Sequence, residues 1–177
     1  MIIQLKKKFL ILATITLIIV VFIRLTSGEP TRVQVKVDGL SCPFCAYNLE
    51  KKLKRVGGVE DLKLRIDTGL AEIKIEEGKS IDIDGIKKAV KDGGFTPRDI
   101  VVTIKGKIEQ VDSRMILRID NIADSFILKD NKMLKDIITS EQAQGGIVTV
   151  TGLVQEEKIK GHGLHPHVLE IRDFKFE

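Results

Sequence analysis

Two cysteines, Cys42 and Cys45, are the residues of this 177-residue sequence whose type and spacing most directly suggest chemistry. They follow a short loop, Asp38-Gly39-Leu40-Ser41, and no other cysteine occurs in the sequence. If a helix begins at this point, its N-terminus stabilises the thiolate form, and thiolate is the form that binds metal. Two soft sulfurs without a nearby histidine or carboxylate suit a thiophilic ion of low coordination number, Cu(I) or Hg(II). They are two ligands short of a closed structural zinc site.

The same two thiols allow two other interpretations. In an oxidising compartment they could form an inert disulfide, because a pair of this spacing can close on itself. They could also exchange disulfides with a substrate, which would make the protein a thiol–disulfide oxidoreductase rather than a metal carrier.

The elements that must position the cysteines follow from the spacing of the apolar residues. Alternation at Val33, Val35 and Val37 predicts a strand before the loop, and apolar residues three and four apart from Ala46 to Val56 predict a helix after it. A hairpin, a second helix and another strand follow, and this order of elements is ferredoxin-like. The apolar positions of these later elements are Leu62, Leu64 and Ile66, then Ala71, Ile73 and Ile75, then Ile86, Ala89 and Val90, and finally Ile100, Val102 and Ile104.

From about residue 101 the pattern is mainly that of β-strands, with one helix predicted over roughly residues 132–141. Five or so short strands and one helix favour a small OB-like barrel, so the fold class is α+β. The junction between the two domains is not fixed by the pattern, because Lys105-Gly106 fits a bend within one continuous strand. The strands of this region are predicted around Met115, Leu117 and Ile119, around Phe126 and Leu128, around Val148 and Val150, and around Leu169 and Ile171.

The N-terminal 27 residues differ from the rest of the sequence. Phe9 to Ile23 contains no charged residue, three lysines precede it, and one arginine follows it. This pattern predicts a hydrophobic helix that is either a membrane anchor or a cleaved signal segment, and both place the body outside the cytoplasm. The remaining residues carry 25 basic and 25 acidic side chains. A neutral body with seven Phe, one Tyr and no Trp lacks the features of a nucleic-acid binder.

Several features together resemble the heavy-metal-associated domain family over about residues 31–100. They are the GLSCPFC loop, the helix AYNLEKKLKRV, the hairpin GGVEDLKLRIDTGLAEIKI and the late Gly93-Gly94-Phe95 loop. The resemblance implies a ferredoxin-like fold in which Cys42 and Cys45 are the metal ligands and Phe95 is an apolar wall beside them. It also implies transfer of the ion to or from a metal-transporting membrane protein or another thiol-bearing partner.

Leu40 departs from the family pattern, which usually has methionine at this position. Leucine keeps an apolar plug under the loop but offers no thioether sulfur. An export segment followed by such a domain is most similar to the periplasmic mercuric-ion binding proteins, and residues 101–177 are additional to that resemblance.

The histidines His162, His165 and His167 lie in one glycine-containing segment. In an extended chain His165 and His167 would face the same side, so the pair could chelate a second ion. The alternative is a loop with solvent-exposed imidazoles. A basic cluster, Lys51, Lys52, Lys54 and Arg55, is either a solvated helix face or a docking surface for an acidic partner.

The sequence therefore predicts three segments: residues 1–27 as anchor or signal, residues 31–100 as a metal-binding domain, and residues 101–177 as an OB-like domain. The predicted protein is not an enzyme. It is membrane-anchored with its body outside the cytoplasm, or alternatively cleaved and soluble there, and it carries Cu(I) or Hg(II).

Overall fold

The computed structural model describes residues 31–119, 122, 124–140, 146–156 and 167–176. The predicted N-terminal hydrophobic helix lies outside these residues, and so do His162 and His165. Within the described residues no helix has the length and apolar character needed to cross a membrane.

The first half of the described chain has the predicted order strand, helix, strand, strand, helix, strand. Its sheet has the order β2-β3-β1-β4, and each neighbouring pair is antiparallel. This is the split βαβ arrangement, so the ferredoxin-like part of the prediction is confirmed. The elements are β1 (Arg32–Asp38), α1 (Pro43–Leu53), β2 (Val59–Arg65), β3 (Leu70–Ile75), α2 (Ile83–Asp92) and the first part of β4 (Thr96–Val111).

The two helices pack on one face of this sheet. The alternating residues Val33, Val35 and Val37 of β1 are buried, as are Leu49 and Leu53 of α1. Complete burial of a side chain of this size stabilises the fold by about 1.5–3 kcal/mol. The start of α2 is fixed separately, because the carboxylate of Asp82 accepts a hydrogen bond of 2.7 Å from the backbone N–H of Gly85.

The second half forms a barrel-like β region, as the sequence predicts. Strand neighbours follow the order β4-β5-β6-β8-β7, and β7 also pairs with β4, which closes the ring. The β6–β8 pairing is parallel, and the helix lies between β6 and β7 in the chain. This connectivity is consistent with the OB-like barrel that the pattern favours. The remaining elements are β5 (Arg114–Ile119), β6 (Ser125–Leu128), α3 (Lys132–Thr139), β7 (Val148–Gln155) and β8 (Val168–Phe176).

Strand β4 belongs to both halves. Its 16 residues pair with β1 over residues 96–103, with β5 over residues 106–111, and with β7 over residues 101–106. Because β7 overlaps both of the other pairings, β1 and β5 must follow one another along the opposite edge of β4. A domain boundary between residues 100 and 101 would fall inside this continuous strand. The division into domains stays a prediction.

Gly106 lies where β4 passes from one half to the other. It is opposite Ile119 on β5 and opposite Val148 on β7. A Cβ atom at this position would lie 2.2 Å from the carbonyl oxygen of Arg118. Only glycine therefore allows the two strands to approach each other this closely.

Helix α2 also contacts the barrel through charged side chains. Lys87 Nζ lies 2.7 Å from Glu156 Oε1, directly after β7, and the Lys87 side chain is only 15% exposed. His167 Nε2, directly before β8, lies 3.8 Å from Asp84 Oδ2. The barrel is thus joined to the first half by a shared strand and by contacts to a helix.

Candidate metal centre

The loop that carries the cysteines begins with a left-handed residue. Gly39 has φ +85°, a conformation that glycine adopts without the strain of a Cβ atom. The backbone N–H of Ser41 then donates a hydrogen bond of 2.9 Å to the Gly39 carbonyl oxygen. These two features reverse the chain between the end of β1 and the start of α1.

Cys42 is the N-cap residue of α1. Its backbone is extended, with φ −112° and ψ 126°, and its carbonyl oxygen accepts a hydrogen bond of 3.0 Å from the N–H of Ala46. Pro43 occupies the first helical position, where a missing N–H costs no helical hydrogen bond. The exposed Cys42 side chain thus lies at the positive end of the helix.

The environment of Cys42 favours its thiolate form. The Cys42 side chain makes no capping hydrogen bond of standard geometry, but nearby donors lower its pKa. The backbone N–H of Cys45 has the largest effect, followed by the thiol of Cys45 and the backbone N–H of Phe44. All three stabilise negative charge on sulfur.

Cys45 behaves in the opposite way. Its thiol shares a hydrogen with Cys42, and this interaction raises the pKa of Cys45. Partial burial and the negative charge of Cys42 raise it further. Both cysteines are free thiols in the structure, and the opposite shifts of their pKa values mean that Cys42 loses its proton more readily than Cys45.

Two apolar side chains support the loop. Leu40 is only 4% exposed and packs in the core, as expected for a plug beneath the loop. Phe95 is half-buried, and a Cβ atom on Gly39 would lie 3.8 Å from its Cδ1 atom. The late loop therefore lies against the cysteine loop, and the role of Phe95 as a wall of the metal site stays a prediction.

The described residues around the pair offer no third metal ligand. Within them, no group of three or more His, Cys, Asp or Glu side chains is arranged to hold an ion. The carboxylate that precedes the loop, Asp38, forms an ion pair of 2.6 Å with Nε of Arg98. The arrangement therefore offers a metal ion two sulfur donors and leaves one side of the ion accessible from solvent.

Two exposed aromatic residues stand beside the cysteines, and the sequence patterns did not identify them. The Phe44 side chain is 72% exposed and that of Tyr47 is 53% exposed. Nζ of Lys51 lies 4.4 Å from the centre of the Tyr47 ring. Their spacing in the sequence could have identified them. Residues 44, 47 and 51 are three and four apart, so they share one face of the helix, and this face lies outside the buried stripe of Ala46, Leu49 and Leu53.

The rest of the basic cluster lies at the C-terminal end of the same helix and directly after it. Lys51, Lys54 and Arg55 are exposed and Lys52 is half-buried. One charge of the cluster is compensated locally, because Lys54 forms an ion pair of 2.6 Å with Glu50.

His167, the one predicted second-site residue that the structure describes, is placed away from the cysteines. Its ring lies 6.3 Å from the ring of Phe126, and it faces Asp84 of α2. Within the described residues it belongs to no group that could hold a metal. The proposed pairing with His165 falls outside these residues.

Comparison with known proteins gives the following matches. A protein of Archaeoglobus fulgidus named "Probable copper-exporting P-type ATPase" is 30% identical over 86 residues, which is 49% of this chain and 10% of the relative. The "Copper chaperone CopZ" of Staphylococcus epidermidis is 25% identical over 61 residues, covering 34% of this chain and 88% of the relative. The crystal structure of oxidised MerP from Ralstonia metallidurans is 25% identical, covers 38% of this chain and 94% of that chain, and has a TM-score of 0.35.

The chain thus spans only a tenth of the length of the Archaeoglobus ATPase that it matches. The family match lies in the ferredoxin-like half. Residues 34–96 correspond to the heavy-metal-associated domain, and this segment includes the glycine loop, both cysteines and Phe95. Together with the observed fold, this match identifies residues 34–96 as a heavy-metal-associated domain.

Proposed function

We propose that the protein binds a thiophilic metal ion between Cys42 and Cys45 and transfers it to another thiol-bearing protein. The observation that carries this proposal is the coupled dithiol at the N-terminus of α1, in which Cys42 favours the thiolate form. The names of the relatives, a copper chaperone and a copper-exporting ATPase, support Cu(I) as the ion. Hg(II) has the same preference for two thiolates and is the alternative cargo.

Transfer would proceed by ligand exchange. A metal held by two sulfurs remains open to attack by a thiolate of the partner, which gives a three-coordinate intermediate. One cysteine of this chain would then leave, a second thiolate of the partner would bind the metal, and the remaining cysteine would leave, so that the ion ends between two sulfurs of the partner. The exposure of Cys42 supports this order, because it allows a partner sulfur to approach the metal.

The surface around the dithiol supports docking of an acidic partner. Phe44 and Tyr47 form an exposed apolar area next to the cysteines, and Lys51, whose Nζ lies 4.4 Å from the centre of the Tyr47 ring, adds positive charge beside it. A partner with an apolar patch around its own dithiol and acidic residues at its edge would match this surface. A metal-transporting membrane protein or another metal carrier fits that description.

We further propose that the N-terminal segment tethers the chain to a membrane, with its body outside the cytoplasm. The support is the uncharged run from Phe9 to Ile23 with lysines before it. A cleaved segment and a soluble body outside the cytoplasm form the alternative.

The first test is an anaerobic titration of the fully reduced chain with Cu(I), Hg(II) and Zn(II). We expect one tight equivalent of Cu(I) or Hg(II) and weaker binding of Zn(II), which lacks two ligands here. Cys42→Ser with Cys45→Ser should abolish tight binding, whereas Ser41→Ala on the same loop should preserve it. Absence of tight binding by the reduced wild-type chain would contradict the proposal.

A further inference from the structure

Helix α2 touches the barrel along one stripe of its surface. Lys87 Nζ lies 2.7 Å from Glu156 Oε1, directly after β7, and Asp84 Oδ2 lies 3.8 Å from His167 Nε2, directly before β8. The hydrogen bond from Lys87 lowers the pKa of Glu156, and the charge of Lys91, one turn further along α2, also lowers it. Residues 84, 87 and 91 are three and four apart, so one face of α2 is turned toward the barrel.

Lys87 is much less exposed than an ordinary surface lysine. Its side chain is 15% exposed, whereas that of Lys88, the next residue of the helix, is 75% exposed. The aliphatic part of Lys87 is therefore covered, and its ammonium group meets the more exposed carboxylate of Glu156. An ion pair with one covered partner restricts the movement of α2 relative to the barrel.

The other end of α2 carries the late loop, Gly93-Gly94-Phe95. The backbone N–H of Phe95 donates a hydrogen bond of 3.2 Å to the carbonyl oxygen of Val90, and the N–H of Gly94 donates one of 2.9 Å to that of Lys91. Gly94 has φ +86°, so the helix ends in a Schellman motif. Phe95 is thus fixed to the last turn of α2.

The Phe95 ring lies between two glycines. A Cβ atom on Gly39 would lie 3.8 Å from Phe95 Cδ1, and one on Gly93 would lie 3.2 Å from Phe95 Cδ2. Gly39 is the left-handed residue that turns the chain into the cysteine loop. The contacts therefore form an unbroken series from Glu156 of the barrel, through α2 and Phe95, to the start of the cysteine loop.

We propose that the barrel, through Lys87, positions Phe95 against the cysteine loop and so slows the loss of the bound metal ion. Lys87 is a positioning residue, because it acts through α2 and Phe95 and not by contact with the thiols. A supported loop keeps its two sulfurs at the separation that one ion requires, whereas a loose loop lets a competing ligand displace one of them. The metal part of this proposal rests on the function proposed above.

The first readout is the proton chemical shift of Gly39, which requires no metal. One Hα atom of Gly39 occupies the place of a Cβ atom, so it lies beside the Phe95 ring and takes a ring-current shift. Phe95→Leu in the full, reduced chain removes the ring and defines the unshifted value. We expect Lys87→Gln to move the Gly39 shift toward that value, whereas Lys87→Arg, which retains the charge, should keep the wild-type shift.

The second readout is the rate at which the full chain loses Cu(I) to the chelator bicinchoninate. We expect Lys87→Gln and Glu156→Gln each to speed this loss several-fold. The double variant should be no faster than either single variant, because both substitutions break the same ion pair. Lys135→Gln is the matched control, since it breaks an ion pair of 3.6 Å with Asp130 within the barrel and should leave both readouts at their wild-type values.

Three results would overturn the proposal. They are a wild-type Gly39 shift in Lys87→Gln, a moved shift with an unchanged rate of Cu(I) loss, and an equal effect of Lys135→Gln, which would assign the change to general destabilisation of the barrel. If the wild-type chain binds no Cu(I), the proposed function fails, whereas the Gly39 shift still decides whether Lys87 positions the loop.

Discussion

The two cysteine thiols differ in acidity although they are only three residues apart. Backbone N–H groups stabilise the Cys42 thiolate, whereas Cys45 is partly buried and donates its hydrogen to Cys42. A metal must displace the protons of both, so the difference between the two thiols determines how binding depends on pH.

We expect the apparent Cu(I) affinity to rise with pH in two stages. Below the lowered pKa of Cys42, binding releases two protons, and the affinity rises about a hundredfold per pH unit. Between that pKa and the raised pKa of Cys45 it rises about tenfold per pH unit, and above both it is constant. Competition with a chelator of known pH dependence measures this profile. A profile without a break between the two slopes would show that the two thiols do not differ in pKa in these opposite directions.

Replacing Phe44 by alanine should affect transfer rather than binding. The side chain is 72% exposed, so its loss removes docking surface without opening a cavity. We expect Cu(I) transfer to a partner dithiol domain to slow by a factor on the order of ten, which is the effect of losing one useful interface side chain. Stopped-flow transfer to the partner, compared with transfer to a small thiol, measures this effect.

Met133→Ala is the matched control, since it also shortens an exposed apolar side chain but lies on the barrel. It should transfer Cu(I) at the wild-type rate. If Phe44→Ala slows Cu(I) transfer to the small thiol as much as it slows transfer to the partner, then Phe44 acts at the metal site and not at the docking surface.

At the residue scale, the placement of the two cysteines at the start of a helix can be predicted from the sequence, because the Cys-x-x-Cys spacing and the loop glycine are local features. The role of the two cysteines as metal ligands stays a prediction. The exposure of Phe44 is harder to predict. An aromatic residue at the start of a helix usually suggests a buried position, and only the position of the buried stripe at Ala46, Leu49 and Leu53 reveals that Phe44 lies outside it.

Among the elements, β4 carries the most information about how the molecule is built. Alternation predicted a strand through Ile100, Val102 and Ile104, and the structure extends this strand from Thr96 to Val111. The polar residues after Ile108 hide its full length from a pattern-based prediction. Pairing with β5 stabilises them as a strand, and that pairing depends on residues further along the chain.

Gly106→Ala should destabilise the protein, because the added Cβ would meet the Arg118 carbonyl oxygen at 2.2 Å. Overpacking of this kind costs about 1–3 kcal/mol, and here a backbone atom would have to move. Urea unfolding of wild type and variant gives the difference in free energy of unfolding.

Gly57→Ala is the control for this substitution, because a Cβ atom there would meet nothing within 4 Å. Its free energy of unfolding should stay within about 0.5 kcal/mol of wild type. Equal destabilisation by both alanines would show that the close approach at Gly106 is not responsible.

The whole molecule is more closely joined than two domains on a linker. β4 is hydrogen-bonded on both edges over residues 101–103, and Lys87 of α2 reaches Glu156 of the barrel. The sequence predicts the two folds but not this joint, because pairing of β4 with β7 connects residues about fifty positions apart. In the sequence, only Lys105-Gly106 indicated the joint, because these residues fit a bend within one continuous strand.

We therefore expect the two halves to unfold together. Tyr47 is the only tyrosine and the sequence has no tryptophan, so intrinsic fluorescence reports on the metal-binding half alone. Far-UV circular dichroism reports on both halves. In urea, the midpoints from the two probes should coincide, as in a two-state transition. Two separated midpoints would mean that the shared strand does not couple the halves.

The closure of the barrel onto β4 also changes the risk of self-association. An isolated β2-β3-β1-β4 sheet would expose the whole outer edge of β4, and an open edge is a template for pairing with another chain. Here β7 covers that edge from Val101 to Gly106. The strand at the other side of this sheet, β2, carries Glu60, Asp61, Lys63 and Arg65, and charged side chains discourage strand addition. If the proposed tether gathers many copies on one membrane, the cover over part of β4 and the charges on β2 would oppose edge-to-edge pairing of neighbouring sheets.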